Sequence, residues 1–494
     1  MKKRHRKTSR PQMMLPYQAA LPSPNRSMTF GPMLLNHRVE NSRWLSTMLW
    51  AKARLVHSNS PELINLVERV ALICGYITPR PMSADEEWNA LALAAWRRRT
   101  SDPRTHDSAQ QMNDRQQQLW LERRAAIDGD ALIVSSLAAD GGAVFTAYEA
   151  PQVFGEGGEE KDSRMWVNGV LLGEHGQPLA YGVRTAPEEG ADITIIRAAA
   201  ARLYRHHIRP GQPRGLSELG AAIDTAQDLF ELTELTKAAI KLAASFGIVE
   251  TKDLNDQNAT ASDFQRQRNG QAANLPTPKP FVVAGVQAYE AAPGRRVEII
   301  HDTRPSNEQQ AFRKSLEESI ALVMGLPPEI VRFLSGLNSA ASRTTLQIVG
   351  DWQRDRLLDR EPLMQWKWET VISAEIAAGR LRPCSDPDGW NAVAWIPRTA
   401  WSIDRGRDGA LAINMAREGM LDRDAYMLAT SGQTYMEVAR KNIENYKRVS
   451  DLAAAAGVPL ESVLPGALGS TAPAVGKNPA SNEEPDGSKD EETE

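Results

Sequence analysis

Over residues 41–121 apolar side chains recur three or four apart, as in Pro61-Glu62-Leu63-Ile64-Asn65-Leu66-Val67 and on through Leu72 and Ile73, so this stretch reads as helical. Pro61 suits a first helical turn, and Asp102-Pro103 marks a break. Trp88, Trp96 and Trp120 punctuate the further helices. From Ala131 the period shortens. Residues 131–137 and 143–148 predict paired strands around Asp140-Gly141-Gly142, and 165–172 and 179–184 predict two more joined by a turn over 173–178. Residues 193–196 and 203–208 extend this β region. After Pro213 the helical period returns: Leu219, Ile223, Ala226 and Phe230 form a stripe that Leu235, Ala239, Leu242 and Phe246 continue. Glu218, Asp224 and Asp228 come early and Lys237 and Lys241 late, as the helix dipole favours, and Gly247 ends the run. A helix of about 30 residues is about 45 Å long and needs a partner to cover its stripe.

That partner follows an interruption. Residues 251–280 are polar and read as an exposed excursion, and residues 281–283 and 296–300 as short strands around Ala291-Ala292-Pro293-Gly294. Ser306-Asn307-Glu308-Gln309 has capping-box spacing, Phe312, Leu316, Ile320 and Val323 make a stripe, and Gly325 with Pro327-Pro328 stops it. The two helices predict a hairpin with a folded tip. A short helix to Leu334 and a loop over 335–341 lead into a second long helix, 342–378, which Pro362 should kink. Residues 410–457 read as shorter helices, and from Gly466 the chain is a Pro/Gly/Ser-rich tail. The fold class is α+β, without internal repeats.

Composition adds little to this picture and charge adds more. Hydrophobic content of 41% and charged content of 24% are ordinary for a folded protein. No apolar run approaches the roughly 20 residues of a membrane span, so no membrane partner is expected. The net charge of −4 argues against a surface that clings to nucleic acid throughout, although the ends differ in sign. Residues 1–40 open with Lys2-Lys3-Arg4-His5-Arg6-Lys7 and read as a disordered basic arm; residues 461–494 read as a disordered acidic tail. Cys74 and Cys384 alone supply neither a disulfide framework nor a Cys-based metal site.

Catalytic patterns are absent: there is no Gly-x-x-x-x-Gly-Lys-Ser/Thr phosphate cradle, no Gly-x-Ser-x-Gly elbow and no His-Glu-x-x-His. His206 and His207 would face opposite sides of a strand, so they cannot grip one ion. Asp128-Gly129-Asp130 lacks the further acids of a calcium loop and reads as a turn into a strand. Trp366 and Trp368 lie near Glu361 and Glu369 rather than among cations, which favours packing over base stacking. The Arg97-Arg98-Arg99 run reads as a solvated helix end. No catalytic residue, metal or cofactor is expected.

Several separated segments resemble one family in the same order. They are Trp166-Val167-Asn168-Gly169-Val170 with Gly176-Gln177-Pro178-Leu179-Ala180-Tyr181, then the block Arg209, Pro210, Gly211, Gln212, Pro213, Arg214, Gly215. Ala292-Pro293-Gly294-Arg295, Phe312, Gly325-Leu326-Pro327, residues 338–343 and Trp395-Ile396-Pro397 through Trp401-Ser402-Ile403-Asp404 follow. Together they resemble the lambda-type phage portal proteins over roughly residues 41–437. Two departures stand out: Ala340-Ala341 where relatives carry paired serines, and Asp404-Arg405 where they carry Asp-Pro.

The resemblance implies a ring, usually dodecameric, at one capsid vertex of the virion, assembled in the host cytoplasm. Its channel would pass double-stranded DNA, and its partners would be the terminase large subunit and the capsid and neck or adaptor proteins. It further implies a wing over 41–213, β-rich from 130 to 210, a stem of two helices at 214–250 and 304–326, and a small α/β clip over 251–303. A channel loop with the kinked long helix and a return to the wing would occupy 327–403, and a helical crown 404–460. In that frame Asn338, Ser339, Ser342 and Arg343 are candidates for loose contact with DNA, while capping of the following helix is the competing role for Ser342. A different structural ring of the head–tail neck and a metal-dependent nuclease are the alternatives.

Overall fold

The computed structural model describes residues 42–155, 166–184, 192–206, 209–245, 249–250, 281–283, 286–290, 307–331, 338–398 and 405–463. Two compact units divide the chain after Asp408. The first begins with helices α1 (Arg43–Asn59) and α2 (Pro61–Cys74), separated by Ser60, whose hydroxyl accepts from the Leu63 amide. Strand β1 (Ile77–Pro81), which periodicity hides within a helical region, pairs antiparallel with β12 (Val393–Pro397), so segments more than 300 residues apart close one edge of the unit. Helices α3 (Glu86–Thr100) and α4 (Asp114–Asp128) follow, each begun by a side-chain cap, from Asp85 and Asn113.

The β region forms two antiparallel sheets. One has the order β3-β2-β8, from β2 (Asp130–Leu137), β3 (Ala143–Glu149) and β8 (Ala201–Arg205). The other has the order β4-β5-β6-β7, from β4 (Trp166–Val167), β5 (Val170–Leu172), β6 (Pro178–Arg184) and β7 (Ile193–Arg197). The single strand expected over 165–172 is therefore a hairpin. Asn168 and Gly169 turn it at φ of 45° and 85°, the left-handed pair that two-residue hairpin loops require. Strand β2 is buried on both faces: Ala131 and Ile133 enter the core shared with the helices, while Leu132 and Val134 enter a second core with Val170, Tyr181 and Val183. Its uninterrupted apolar run follows from that position.

The helix after Pro213 starts as a 3-10 turn at Glu218–Ala221 and continues as α5 (Ile223–Ser245). Leu219, Ile223, Ala226 and Leu229 are buried, but Phe230 and Leu235 of the expected stripe stand 52% and 66% exposed. Its partner α6 (Asn307–Leu322) donates Gln309 Nε2 to Thr236 Oγ1 at 2.6 Å. At the far end of α6, Ile320 and Met324 join the core that holds Ile223 and Ala226, so the two helices run antiparallel. Among the residues near the tip, β9 (Val249–Glu250), β10 (Phe281–Val283) and β11 (Val286–Glu290) form a three-stranded sheet in the order β10-β11-β9. The strand expected over 296–300 and the capping residue Ser306 lie outside the described residues.

The long helix expected over 342–378 is two helices rather than one kinked rod: α7 (Ser339–Leu358) and α8 (Glu361–Ala377). Pro362 sits in the first turn of α8, where its missing N–H would have lacked an intrahelical partner anyway. The chain turns at Asp359 and Arg360, and the Arg360 amide closes on Leu357 O at 2.9 Å. Trp366 and Trp368 on α8 are buried, with Trp368 5.6 Å from Trp96. Helix α9 (Arg405–Arg417) leads into the second unit, where α10 (Arg423–Ser431) and α11 (Tyr435–Ala456) are each capped at both ends. No helix among the described residues is long and apolar enough to cross a membrane.

Candidate functional site

The block Arg209–Gly215 leaves the β region and delivers the chain to α5, and the structure shows how it does so. Arg209, Pro210 and Gly211 form an outer turn, with Gly211 at φ 75°. Arg214 is fully buried and every N–H of its guanidinium is used. Nε and Nη2 donate to the two carboxylate oxygens of Asp130 at 2.7 and 2.9 Å. Nη1 donates to Val153 O and Asn168 O at 3.2 and 2.6 Å, and Nη2 also to Ala150 O at 2.8 Å. One side chain thus ties the first residue of β2 to the end of β3 and to the β4–β5 hairpin, in the fork geometry only arginine offers.

Its neighbours complete the clasp. The Gly215 amide donates to Asp130 Oδ2 at 2.8 Å, and Gln212 Nε2 donates to Arg214 O at 2.7 Å. A Cβ on Gly215 would stand 1.9 Å from the Gly129 carbonyl oxygen, so the two backbones cross where no side chain fits. Asp128-Gly129-Asp130 is indeed a turn into a strand, and both of its carboxylates are spent on arginines: Asp130 on Arg214, Asp128 on Arg54 at 2.7 and 2.8 Å.

A second cluster lies on the other side of β8. Glu122 of α4 is fully buried and accepts from Arg356 Nε at 2.8 Å, Arg360 Nη2 at 2.6 Å and the Tyr204 hydroxyl. Burial alone would raise its pKa, but Arg360 and Arg356 hold it well below the usual carboxylate range. Arg356 also grips Glu218, at the start of the junction helix, with two bonds of 3.0 Å. His206 Nδ1 lies 3.0 Å from Asp359 and its Nε2 3.5 Å from Glu122. Burial opposes its charge, yet these two carboxylates outweigh burial and push it up to about 9. His206 is therefore a structural cation here, and His207 lies outside the described residues.

Charge elsewhere is also spent internally. Arg99, expected on a solvated helix end, is buried and bonds both oxygens of Asp140 at 2.7 and 2.8 Å and Ala143 O at 2.9 Å. Lys367 is fully buried, donating to Asp114, to Gln117 Oε1 at 2.8 Å and to His106 Nε2 at 3.3 Å. Burial, then Lys367, pushes His106 down to about 3, so it is neutral at ordinary pH. Among the described residues no group of three or more His, Cys, Asp or Glu is placed to hold a metal ion.

The four residues proposed at the loop before α7 separate into different roles. Asn338 is the helix cap: its Oδ1 accepts from the Ala341 amide at 2.8 Å, so the capping role considered for Ser342 belongs to Asn338. Ser342 is turned inward and buried, whereas Asn338, Ser339 and Arg343 are exposed. The structure therefore keeps three of the four on the surface of one helix start. Neither they nor the Arg214 block bring a nucleophile and a base together; the arrangement can hold elements rigidly and present polar groups.

The charged residues Glu122, Arg356, Arg360 and Lys367 went unread in the sequence, because each sits at a position whose spacing suits a solvated helix face. A usable signal exists: Arg356, at the end of α7, and Arg360, in the turn that follows, flank the buried Leu357.

No curated protein matches the chain. Its fold is similar to a chain in the neck of a native gene transfer agent particle computed with C12 symmetry, at 11% identity and a TM-score of 0.43, covering 78% of this chain and 93% of that one. A chain from the virion of a native gene transfer agent particle is similar at 14% identity and a TM-score of 0.40, covering 78% and 92%. The model of the phage portal proteins of the lambda family matches residues 37–348, a span that contains the Arg214 clasp, the antiparallel pair α5 and α6 and the start of α7. The chain belongs to the lambda family of phage portal proteins.

Proposed function

We propose that the chain is one subunit of a closed ring at a single capsid vertex, through which double-stranded DNA is packaged and later released. The observation that carries this reading is family membership across residues 37–348. In it, residues 41–213 are the wing, 214–250 and 304–326 the stem, 251–303 the clip that meets the terminase large subunit, and 404–460 the crown. Capsid and neck proteins surround the ring, and its role is structural.

Two features of the pair α5 and α6 support the ring. Phe230, Leu235 and Ile240 on α5 and Phe312 and Leu322 on α6 remain 43–66% exposed in the single chain, the pattern of helices completed by neighbouring copies. Asp224, Asp228, Glu231 and Glu234 are all exposed on α5 against Lys237 and Lys241. Each phosphate gripped by a cation adds salt-dependent affinity, so a conduit works best with few such grips. Asn338, Ser339 and Arg343 are then the groups that meet passing DNA, with Ser342 supporting them from inside.

The purified full chain, imaged by negative-stain electron microscopy with light scattering for mass, tests the reading. Rings with an axial hole are expected. A compact closed dimer with metal-dependent nuclease activity would falsify it.

A further inference from the structure

A buried amine and a buried carboxyl, with a neutral base beside both, can do more than attract each other. Asp114 opens α4, Lys367 lies 253 residues later on α8, and the short helix Pro103–His106 ends on His106 against the pair. Asp114, His106 and Lys367 are all buried, as are Gln117 and Gln118. Lys367 Nζ donates to Asp114 Oδ1, and to Gln117 Oε1 at 2.8 Å. His106 Nε2 stands beside both partners, 3.3 Å from Nζ and 3.8 Å from Asp114 Oδ1. The second carboxylate oxygen, Oδ2, accepts from Gln118 Nε2 at 2.7 Å. Phe145 forms an apolar floor, its ring centroid 4.8 Å from Nζ and 5.2 Å from the imidazole, and Trp366 packs on Phe145 at 5.9 Å. A nucleophile, an acyl carbon, a base and a donor on the oxygen that would carry charge thus meet in a site closed to water.

We propose that Lys367 and Asp114 condense to an amide, so that the folded chain covalently links α8 to α4 by itself. Burial works against the Asp114 carboxylate, but Lys367 outweighs it, so the reaction starts from the ion pair. Burial also lowers the Lys367 ammonium although Asp114 opposes it, which eases loss of its first proton. That proton passes along the existing hydrogen bond to Oδ1, leaving a neutral amine beside a neutral acid. Nζ then attacks Cγ, and the negative charge that forms on Oδ2 is met by Gln118 Nε2. His106, neutral at ordinary pH, takes a second proton from Nζ and delivers it to Oδ1. The Cγ–Oδ1 bond breaks, Oδ1 leaves as water with both protons, and Oδ2 remains as the amide oxygen. Nothing is oxidised or reduced. Two features favour the product. The contact makes the step unimolecular, which gives the amine a high effective concentration at the carboxyl. Two buried charges carry a desolvation penalty that their attraction offsets only in part, and a neutral amide removes it.

The link forms within one chain, so it can be read whether or not the chain assembles. The full chain is purified folded, then denatured and weighed by electrospray mass spectrometry. It is expected to be lighter than its sequence by the mass of one water. Trypsin should then release a branched species that joins residues 105–115, which hold Asp114, to residues 361–380, left uncut at Lys367. Lys367→Met should show its full sequence mass. His106→Gln should gain the link at least about tenfold more slowly than the unsubstituted chain, in samples lysed into denaturant at intervals after induction. An unsubstituted chain at full sequence mass, with residues 105–115 and 361–367 released as separate peptides, overturns the proposal and leaves a plain ion pair. A one-water deficit traced to any other pair of residues overturns it equally. A His106→Gln chain that keeps the main thermal transition and links at the unsubstituted rate overturns the role given to His106.

Discussion

Arg214 shows what a buried ion pair contributes at a junction. Removing an arginine from a fully desolvated pair leaves its carboxylate uncompensated, which costs about 3–5 kcal/mol. Arg214→Ala should therefore lower the chain's stability by about that amount in denaturant melts, because Asp130 loses both of its guanidinium bonds and the carbonyls of Ala150, Val153 and Asn168 each lose a donor as well. Arg214→Lys should recover little, since one ammonium cannot span both Asp130 oxygens and the carbonyls of Ala150, Val153 and Asn168. A loss below about 1 kcal/mol for Arg214→Ala would show that the clasp is dispensable. His206 makes a second, pH-dependent prediction. Its folded pKa is raised from 6.5 to about 9 by Asp359 and Glu122 against the opposing effect of burial. The folded state therefore binds the proton more tightly, and the stabilisation is complete below about pH 6.5 and lost as pH rises through about 9. Midpoints of unfolding should fall across that window, and His206→Gln should flatten the fall; an unchanged slope in the variant would remove His206 from the hub.

At the scale of elements, the sequence was most legible where one face is apolar and least where the buried face is polar. Helix α2 and strand β2 were read correctly because Leu63, Leu66, Val67 and Val70, or Ala131 through Val134, carry a clear period. Helix α4 buries Gln117, Gln118, Leu121, Glu122 and Ala125, so hydrophobic periodicity cannot show its inner side, and the hub it supports stayed hidden. The Arg209–Gly215 block was visible as a family-like string, but its chemistry was not, since its partners Asp130, Val153 and Asn168 lie 46 to 84 residues away in sequence. The split between α7 and α8 has the same origin. Pro362 was the visible signal, whereas the turn is held by Arg360, which reaches Gly75 O at 2.8 Å and Glu122 at 2.6 Å. The β4–β5 hairpin had a local signal, Asn168-Gly169, that strand periodicity overrode.

For the whole molecule, the decisive contrast is where the cores end. Both hydrophobic clusters of the first unit are complete by Trp395, while the second unit fully buries only Leu428 and Ala453 among its described apolar side chains. Burying a leucine contributes about 2 kcal/mol, and ordering each residue costs about 1–2 kcal/mol of backbone entropy, so caps and two side chains cannot hold a unit of four helices by themselves. A chain ending at Asp408 should then keep the main cooperative transition of the full chain, with its midpoint within about 2 °C. The excised residues 405–463 should show helical circular dichroism that weakens on dilution, because association supplies what the core lacks. Concentration-independent, fully helical signal from that piece would mean the second unit folds alone. A shift of more than about 5 °C in the shortened chain would mean instead that the first unit leans on the second, contrary to cores that close before residue 396. The expected pair of results would place assembly, rather than folding of the single chain, as the step that orders the end of this portal subunit.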